Sequence, residues 1–401
     1  MISRGAALLR LACAFGLFAA LSSEAFASGP VVVLGTKVAL PFEYRVLERT
    51  ESLTAIRGAR IAEWVELEAL SGPAAGRKVR VSAQHYSPDA ADQGTVQAAV
   101  RKYAEEMSSA IGTRTVRPVQ IDGFGFYLID GRWGDNPGYR DAVQLYGTVN
   151  GAIHRIVLAV EDRAVLTSAT VDAFAATRID HQAGLRQAYA LRDERARAVR
   201  NGVMETSIGP ISLSRGTEAR MFSSRLVRDG EGAPIFRSRA FSIHKAGFAA
   251  AHTLEFLTGC GSERIAETEA FLAMDNGDDD ASARKVGDSE DPGYALRSGP
   301  VRARFSGLDG RRSSGLWRPS GSLPRQYPVV RWAAAQTDTL SLQAELRRYE
   351  GTEKVDEVFS RQLASLAPTC RLDLTFGAEP PPNADAVVAP GKSLPVKPEA
   401  P

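Results

Sequence analysis

The chain has 401 residues, 44% of them hydrophobic, and is long enough to bury the cores of two domains. Its 49 lysines and arginines nearly balance 47 aspartates and glutamates, for a formal charge of +2. This balance excludes nucleic-acid binding driven by bulk positive charge, so we expect no nucleic-acid partner.

The N-terminus has the features of a cleavable signal peptide. Arg4 and Arg10 come before an apolar run, Leu11–Leu21, that is too short to span a bilayer. Ala25-Phe26-Ala27 then places small residues where a signal peptidase cuts. We expect cleavage near Ala27 and a soluble mature protein that is periplasmic or secreted. No later apolar stretch has the length of a transmembrane segment.

Cleavage would leave two cysteines, Cys260 and Cys370, in a compartment that permits disulfides. A bond between them would close a loop of about 110 residues, which the chain-entropy model values at roughly 4–5 kcal/mol. The alternative is two separate buried thiols. Two distant cysteines are too few for a metal site, and the five histidines share no metal-ligand spacing. The sequence therefore predicts no metal and no other cofactor.

In the first half, the hydrophobic pattern predicts blocks of strands separated by helices. The strongest hairpin signal is Asn150-Gly151, which readily forms a type I′ turn. The elements, in chain order, are extended segments from Val31, an alternating hairpin over 61–84, a helix over 96–111, strands over 115–121 and 124–129, the hairpin over 143–160, a helix over 168–179, and a connecting helix over 182–200.

The second half predicts the same order of elements. The acidic segment Asp275–Asp291 and the Gly/Ser/Arg-rich segment Ser306–Gly321 are interpreted as loops that lengthen this half. The predicted elements are strands over 208–213, 219–226 and 235–243, a helix over 247–257, strands over 329–335 and 340–348, and a helix with a buried stripe from Val355 to Leu366.

These blocks predict an α+β protein with two similar domains. Each domain is expected to be an antiparallel sheet packed with two helices, because alternating βαβα units are absent. Seven prolines within the last 22 residues predict a disordered tail. The expected boundaries are 1–27 for the signal peptide, 28–180 and 205–376 for the domains, 181–204 for the linker helix, and 377–401 for the tail.

The order of strands, helix, meander and closing helix resembles the PsbP/DcrB-like α+β fold. The meander includes Gly138-Tyr139-Arg140 and Asn150-Gly151, and the resemblance covers residues 31–180 and, more weakly, 205–368. Many members of that family are small exported proteins. The resemblance implies this fold in tandem and supplies no catalytic residues.

No arrangement of residues predicts a catalytic site. One surface segment gathers aromatic and charged groups suited to contact with a ligand or partner: Asp130, Arg132, Trp133, Asp135 and Tyr139. The leading hypothesis is a non-enzymatic binding or envelope-assembly protein with a protein partner. The alternative is a hydrolase whose site forms between the two domains, and a third possibility is a structural subunit of an envelope complex.

Overall fold

The structure is a computed structural model. It describes residues 29–372 except 55–58, 88–92, 133–137, 150, 181–192, 195, 246–253, 263–270, 273–292, 306, 319–325, 338–339, 350–352 and 367–369. The predicted signal peptide, the acidic segment Asp275–Asp291 and the proline-rich tail lie outside the described residues, and so does most of the predicted linker helix.

Strands dominate the described residues. The strands of the first half are β1 (Val31–Val33), β2 (Thr36–Val38), β3 (Tyr44–Thr54), β4 (Ala59–Ala69), β5 (Lys78–Ser87), β6 (Thr113–Ile121), β7 (Phe124–Arg132), β8 (Asp141–Val149), β9 (Ala152–Val160) and β10 (Arg178–Ile179). Those of the second half are β11 (Val199–Arg200), β12 (Val203–Thr206), β13 (Gly209–Ser212), β14 (Thr217–Asp229), β15 (Pro234–Lys245), β16 (Leu254–Gly261), β17 (Gly293–Phe305), β18 (Leu308–Arg318), β19 (Tyr327–Ala335) and β20 (Ser341–Arg348). The helices are α1 (Gln93–Ser109), α2 (Ser168–Ala175) and α3 (Glu353–Ser365).

One 14-stranded antiparallel sheet runs through both halves. From the centre outwards, the first half contributes β3-β4-β5-β9-β8-β7-β6 and the second half contributes β14-β15-β16-β20-β19-β18-β17. The two sets of strands therefore have the same order, and β3 pairs with β14 between them. Each half also has a small separate sheet, β1-β2-β10 in the first and β11-β12-β13 in the second.

The expected α+β class, with two domains that each hold a sheet and two helices, is wrong. The described residues form a mostly β structure with a single large sheet and three helices. The helix predicted over 247–257 is wrong where Leu254 begins β16, and the loop predicted over Ser306–Gly321 contains β18. A short apolar run fits a buried strand as well as a helix, which explains the first error. The domain boundaries stay a prediction.

Other expectations are confirmed. Helices occupy the positions predicted for α1 and α3, and the helix predicted over 168–179 forms as α2 but ends at Ala175. Val149 pairs with Ala152, so the β8–β9 hairpin turns at the predicted place; Asn150 itself lies outside the described residues. Gly151 has a φ of 78°, a left-handed conformation that glycine adopts without steric cost.

The core lies along one face of the sheet, where α2 and α3 cover the first and second halves respectively. Phe174 of α2 is fully buried, and the Phe359 ring of α3 lies 5.2 Å from that of Phe256 on β16. Helix α1 packs on the other face, where the Tyr103 and Tyr146 rings lie 4.4 Å apart. Alternation of side chains along each strand separates these two layers.

A buried ionic network lies beside the junction of the two halves. The Glu194 carboxylate accepts hydrogen bonds from Arg237, from Arg239 (2.7 Å) and from Ser224 Oγ (3.1 Å). The Arg237 side chain is 0% exposed, and its burial lowers its pKa to about 10. Burying a cation costs several kcal/mol unless it is paired, so the Glu194 carboxylate compensates the two arginines.

Both edges of the large sheet carry features that discourage pairing with another chain. The edge strand β6 contains Pro118 and the edge strand β17 contains Pro300, and proline lacks the N–H that a further strand would need. Arginines on both strands add like-charge repulsion. These edges favour a sheet that ends at β6 and β17.

Cys260 on β16 and Cys370 after α3 are at disulfide distance, with Cα atoms 5.6 Å apart. Arg371 beside Cys370 donates its backbone N–H to Ser207 O, at 3.0 Å. The bond would therefore attach the end of the α3 segment to the central sheet. Among the described residues, no helix is long and apolar enough to cross a membrane.

Replacing Glu194 tests the junction network. We expect Glu194→Ala to lower the free energy of unfolding by about 3–5 kcal/mol, because it leaves a buried, uncompensated Arg237. Asp193→Ala is the matched control. Its surface pair with Arg197 should contribute about 0.5 kcal/mol at most. Urea denaturation measures both, and equal stability of the two variants would contradict the assigned role of Glu194.

The disulfide prediction is tested on protein that lacks residues 1–27. Alkylation of denatured, unreduced protein should add no label, and prior reduction should allow two labels, because Cys260 and Cys370 are the only cysteines after Ala27. Intact-mass spectrometry reads the result. Two labels without reduction would show free thiols.

Candidate anion-binding site

A cleft of about 850 Å³ lies between α3 and the outer strands of the second half. Its lining comes from β17, β18 and β19, from Arg348 of β20, and from Glu357, Ser360 and Arg361 of α3. Five arginines line it: Arg297, Arg304, Arg312, Arg348 and Arg361. Glu357 is the single carboxylate among the lining residues. We call this set of residues the basic cleft.

Three of these arginines have no carboxylate partner among the residues that the structure describes. Within the described part of the chain, no carboxylate lies within salt-bridge distance of Arg297, Arg304 or Arg312. Arg312 Nε is buried without a hydrogen-bond partner, and its guanidinium lies 5.9 Å from the centre of the Trp332 ring. Like charges gathered in a concave, partly dry site raise the local potential and attract an anion.

The backbone of β17 positions Arg297 at the cleft. The β17–β18 register shifts between Leu296 and Ser298, so Arg297 lies in a bulge, and a second shift follows around Gly299. Gly299 has a φ of 109°, and a Cβ there would lie 2.7 Å from Arg312 O. Only glycine fits this close approach of the two strands.

The chemistry of the lining suits binding. Guanidinium groups form charge-assisted, often bidentate, hydrogen bonds with carboxylates and phosphates. Ser314 and Ser360 are the hydroxyl side chains that line the basic cleft. The other described lining residues include no histidine, cysteine or aspartate that could activate them. A smaller cavity of about 270 Å³ lies on the other side of α3, between β13, β14 and Phe359, and is mainly apolar.

The residues predicted from sequence as ligand contacts do not form one site. Trp133 and Asp135 lie outside the described residues. Asp130 is 8% exposed and accepts two hydrogen bonds from Arg163, one of them 2.6 Å long. Arg114 bridges Asp130 (3.4 Å) and Asp141 (2.5 Å). Asp130 is therefore held inside the first half by arginines.

Tyr139 lies on the other face of the sheet from Asp130. It is 4% exposed and packs with Ala142, whereas Asp130 pairs with Val143, the next residue along β8. Burial raises the Tyr139 pKa to about 12, and the Arg80 guanidinium lies 4.6 Å from its ring centre. Arg132 is exposed, and its backbone N–H donates to Gly112 O at 3.1 Å.

The sequence reasoning missed the basic cleft, although a signal was present. Residues 293–318 contain six arginines and one aspartate, in a stretch interpreted partly as a loop because of its glycines and serines. Within the described residues, no group of three or more metal-ligating side chains occurs. The predicted acidic segment Asp275–Asp291 lies outside them.

Comparisons with known proteins give little. No family model matches the chain, and no curated protein matches it. An immunity protein, TplEi of the T6SS from Pseudomonas aeruginosa, solved in complex with an "L" peptide, is similar with a TM-score of 0.24 and 10% identity, over 83% of this chain and 97% of that one. Transferrin Binding Protein B from Haemophilus parasuis, a double mutant, gives 0.15 and 8%, over 80% and 77%. TM-scores this low support no inference about fold or function.

We expect Asp130 to stabilise the fold. Asp130→Asn should lower the free energy of unfolding by about 1–2 kcal/mol, because Arg163 and Arg114, both partly exposed, lose the charge of a nearly buried partner. Asp309→Asn is the control, since Asp309 is exposed on β18 and should change stability by less than about 0.5 kcal/mol. Thermal and urea denaturation measure the difference. If Asp130→Asn were as stable as Asp309→Asn, the stabilising role of Asp130 would be contradicted, and Asp130 would again be a candidate ligand contact.

Proposed function

We propose that this protein is a non-enzymatic binding protein that acts in the cell envelope and holds an acidic segment of a protein partner in the basic cleft. The observation that carries the proposal is five guanidinium groups facing one carboxylate in a cleft of about 850 Å³. The envelope location rests on the predicted signal peptide. A lining rich in permanent cations supports binding rather than catalysis.

Charge and shape favour an acidic protein segment over a nucleic acid. Single-stranded nucleic acids bind to grooves in which exposed aromatic rings stack on bases. The one aromatic side chain that lines the basic cleft, Trp332, is 1% exposed and lies beneath Arg312. Guanidinium groups alone can bind carboxylates, so an acidic segment can bind this lining without an exposed aromatic surface.

The mode of binding is insertion into the cleft. Strand addition at the neighbouring edge is disfavoured, because β17 is bulged and contains Pro300. The basic cleft lies beside this edge and is open to solvent at Arg304 of β17 and Arg361 of α3. A negatively charged segment can therefore contact β17 and α3 together.

A hydrolase with its site between the halves receives no support from the junction. Seven residue pairs join β3 to β14, from Ser223–Thr54 to Asp229–Glu48, so the sheet continues across it. The Glu194 network lies beside it, and there the carboxylate binds two arginines and Ser224. A serine that donates to an arginine-bound carboxylate has no general base there.

Binding of an acidic peptide tests the proposal. Fluorescein-labelled hexaglutamate should bind the mature protein and raise its fluorescence anisotropy, with weaker binding as salt increases. Arg304→Glu/Arg361→Glu should weaken binding at least about tenfold, because two of the five lining arginines, one on β17 and one on α3, change from positive to negative. Both residues are exposed, so the fold should be retained, as circular dichroism can check.

The matched control is Arg302→Glu/Arg117→Glu. It changes the net charge equally at two exposed arginines, on β17 and β6, that do not line the cleft. Its affinity should stay within about twofold of wild type. Equal losses in both variants, or no binding by wild type, would contradict the proposal. Equally strong competition by inorganic phosphate would indicate a small-anion site instead.

A further inference from the structure

The first half of the chain provides an internal comparison for the basic cleft. Because both halves have the same strand order, the β6–β7 hairpin corresponds to the β17–β18 hairpin. Ile121 pairs with Phe124 at the first turn, and Phe305 pairs with Leu308 at the second. Counting from these turns matches residues of the two hairpins one by one.

The bulged arginines occupy the same place. In the first half the register shifts between Thr113 and Thr115, which places Arg114 in a bulge. In the second half it shifts between Leu296 and Ser298, which places Arg297 in a bulge. Thr115 pairs with Asp130 and Ser298 pairs with Ser314, so the two bulges lie opposite matching positions.

The carboxylates that neutralise the first arginine have no counterpart beside the second. Arg114 contacts Asp130 and Asp141. Asp130 lies six residues after Phe124, and the residue six after Leu308 is Ser314. Asp141 pairs with Arg132, eight residues after Phe124, and the matching pair joins Leu316 to Pro328. Serine and proline therefore stand where the first half has two aspartates.

The second half also has an additional positive charge, two residues before Ser314 on β18. Leu128 pairs with Leu145 in the first half, and both are buried in the core. At the matching positions of the second half, Arg312 pairs with Trp332. One half thus closes this region with apolar side chains and internal carboxylates, whereas the other leaves guanidinium groups facing a cleft.

We infer that the ligand of the basic cleft supplies two neighbouring carboxylates, which take the places that Asp130 and Asp141 hold in the first half, and that both bind the Arg297 guanidinium. The inference rests on the proposed function and specifies its partner: an acidic segment with two side-chain carboxylates close enough to share one guanidinium. In the first half Arg114 contacts two carboxylates in this way, at 3.4 Å and 2.5 Å. Guanidinium has five N–H donors, enough for both.

Restoring the internal carboxylate tests the inference. Ser314→Asp places an acid where the first half has Asp130, so it should occupy Arg297 and weaken binding of fluorescein-labelled hexaglutamate at least about tenfold. Its melting temperature should be no lower than that of wild type, because the new carboxylate neutralises the cleft. Gln120→Asp, an equal charge change at an exposed position of β6, should bind like wild type.

A second pair of variants avoids any effect on folding. Arg297→Gln should weaken binding at least about fivefold, while Arg302→Gln on the same strand should not, and both side chains are exposed. The inference would be overturned if folded Ser314→Asp bound hexaglutamate like wild type, or if Arg297→Gln bound it as tightly as Arg302→Gln. The proposed function would still stand in that case, provided that wild type binds the peptide. Failure of wild type to bind hexaglutamate would overturn the proposed function itself.

Discussion

The pairing of β3 with β14 is the constraint on which the rest of the structure depends. It joins two sets of seven strands into one sheet, and the order of strands then runs outwards identically from this seam. Beside the seam, Glu194 compensates Arg237 and Arg239, two buried cations that the core could not otherwise hold. Arg228 of β14 also reaches Glu51 of β3, at 3.7 Å. Backbone pairing and ionic contacts therefore act together across the seam.

A shared strand order with different side chains explains how one half stabilises and the other binds. Asp130 and Asp141 neutralise Arg114 within the first half, so this region is internally satisfied. The corresponding region of the second half has Arg297 and Arg312 without those carboxylates. The unbalanced charge is a cost to the folded protein that an acidic ligand would offset. The same backbone thus supports two electrostatic outcomes.

Part of this organisation could be predicted from the sequence. The repeated element order was visible because hydrophobic spacing identifies long helices such as α1 and strong hairpins such as the one at Asn150-Gly151. The amount of helix was overestimated, because Leu254–Leu257 fits either a short helix or a buried strand. The β17–β18 hairpin was partly mistaken for a loop, since its glycines and arginines hide the alternation of a strand.

The candidate site depended on distances that no sequence pattern contains. Asp130 and Tyr139 looked like neighbours on a surface segment, but the pleat of the sheet places them on opposite faces. Arg297 and Arg312 come together through the β17–β18 hairpin, and Arg361 joins them only because α3 packs against β17. Composition could mark residues 293–318 as basic. It could not reveal that Arg297, Arg304 and Arg312 have no carboxylate within salt-bridge distance among the described residues.

The most direct measurement of the central claim follows the side-chain Nε–Hε signals of individual arginines by NMR during titration with hexaglutamate. Signals would be assigned through single Arg→Lys variants. The account predicts that Arg297, Arg304 and Arg312 shift together and saturate at one peptide per protein, while Arg114 and Arg163, already bound by aspartates, stay unchanged. Shifts spread equally over the arginines of both halves would contradict it.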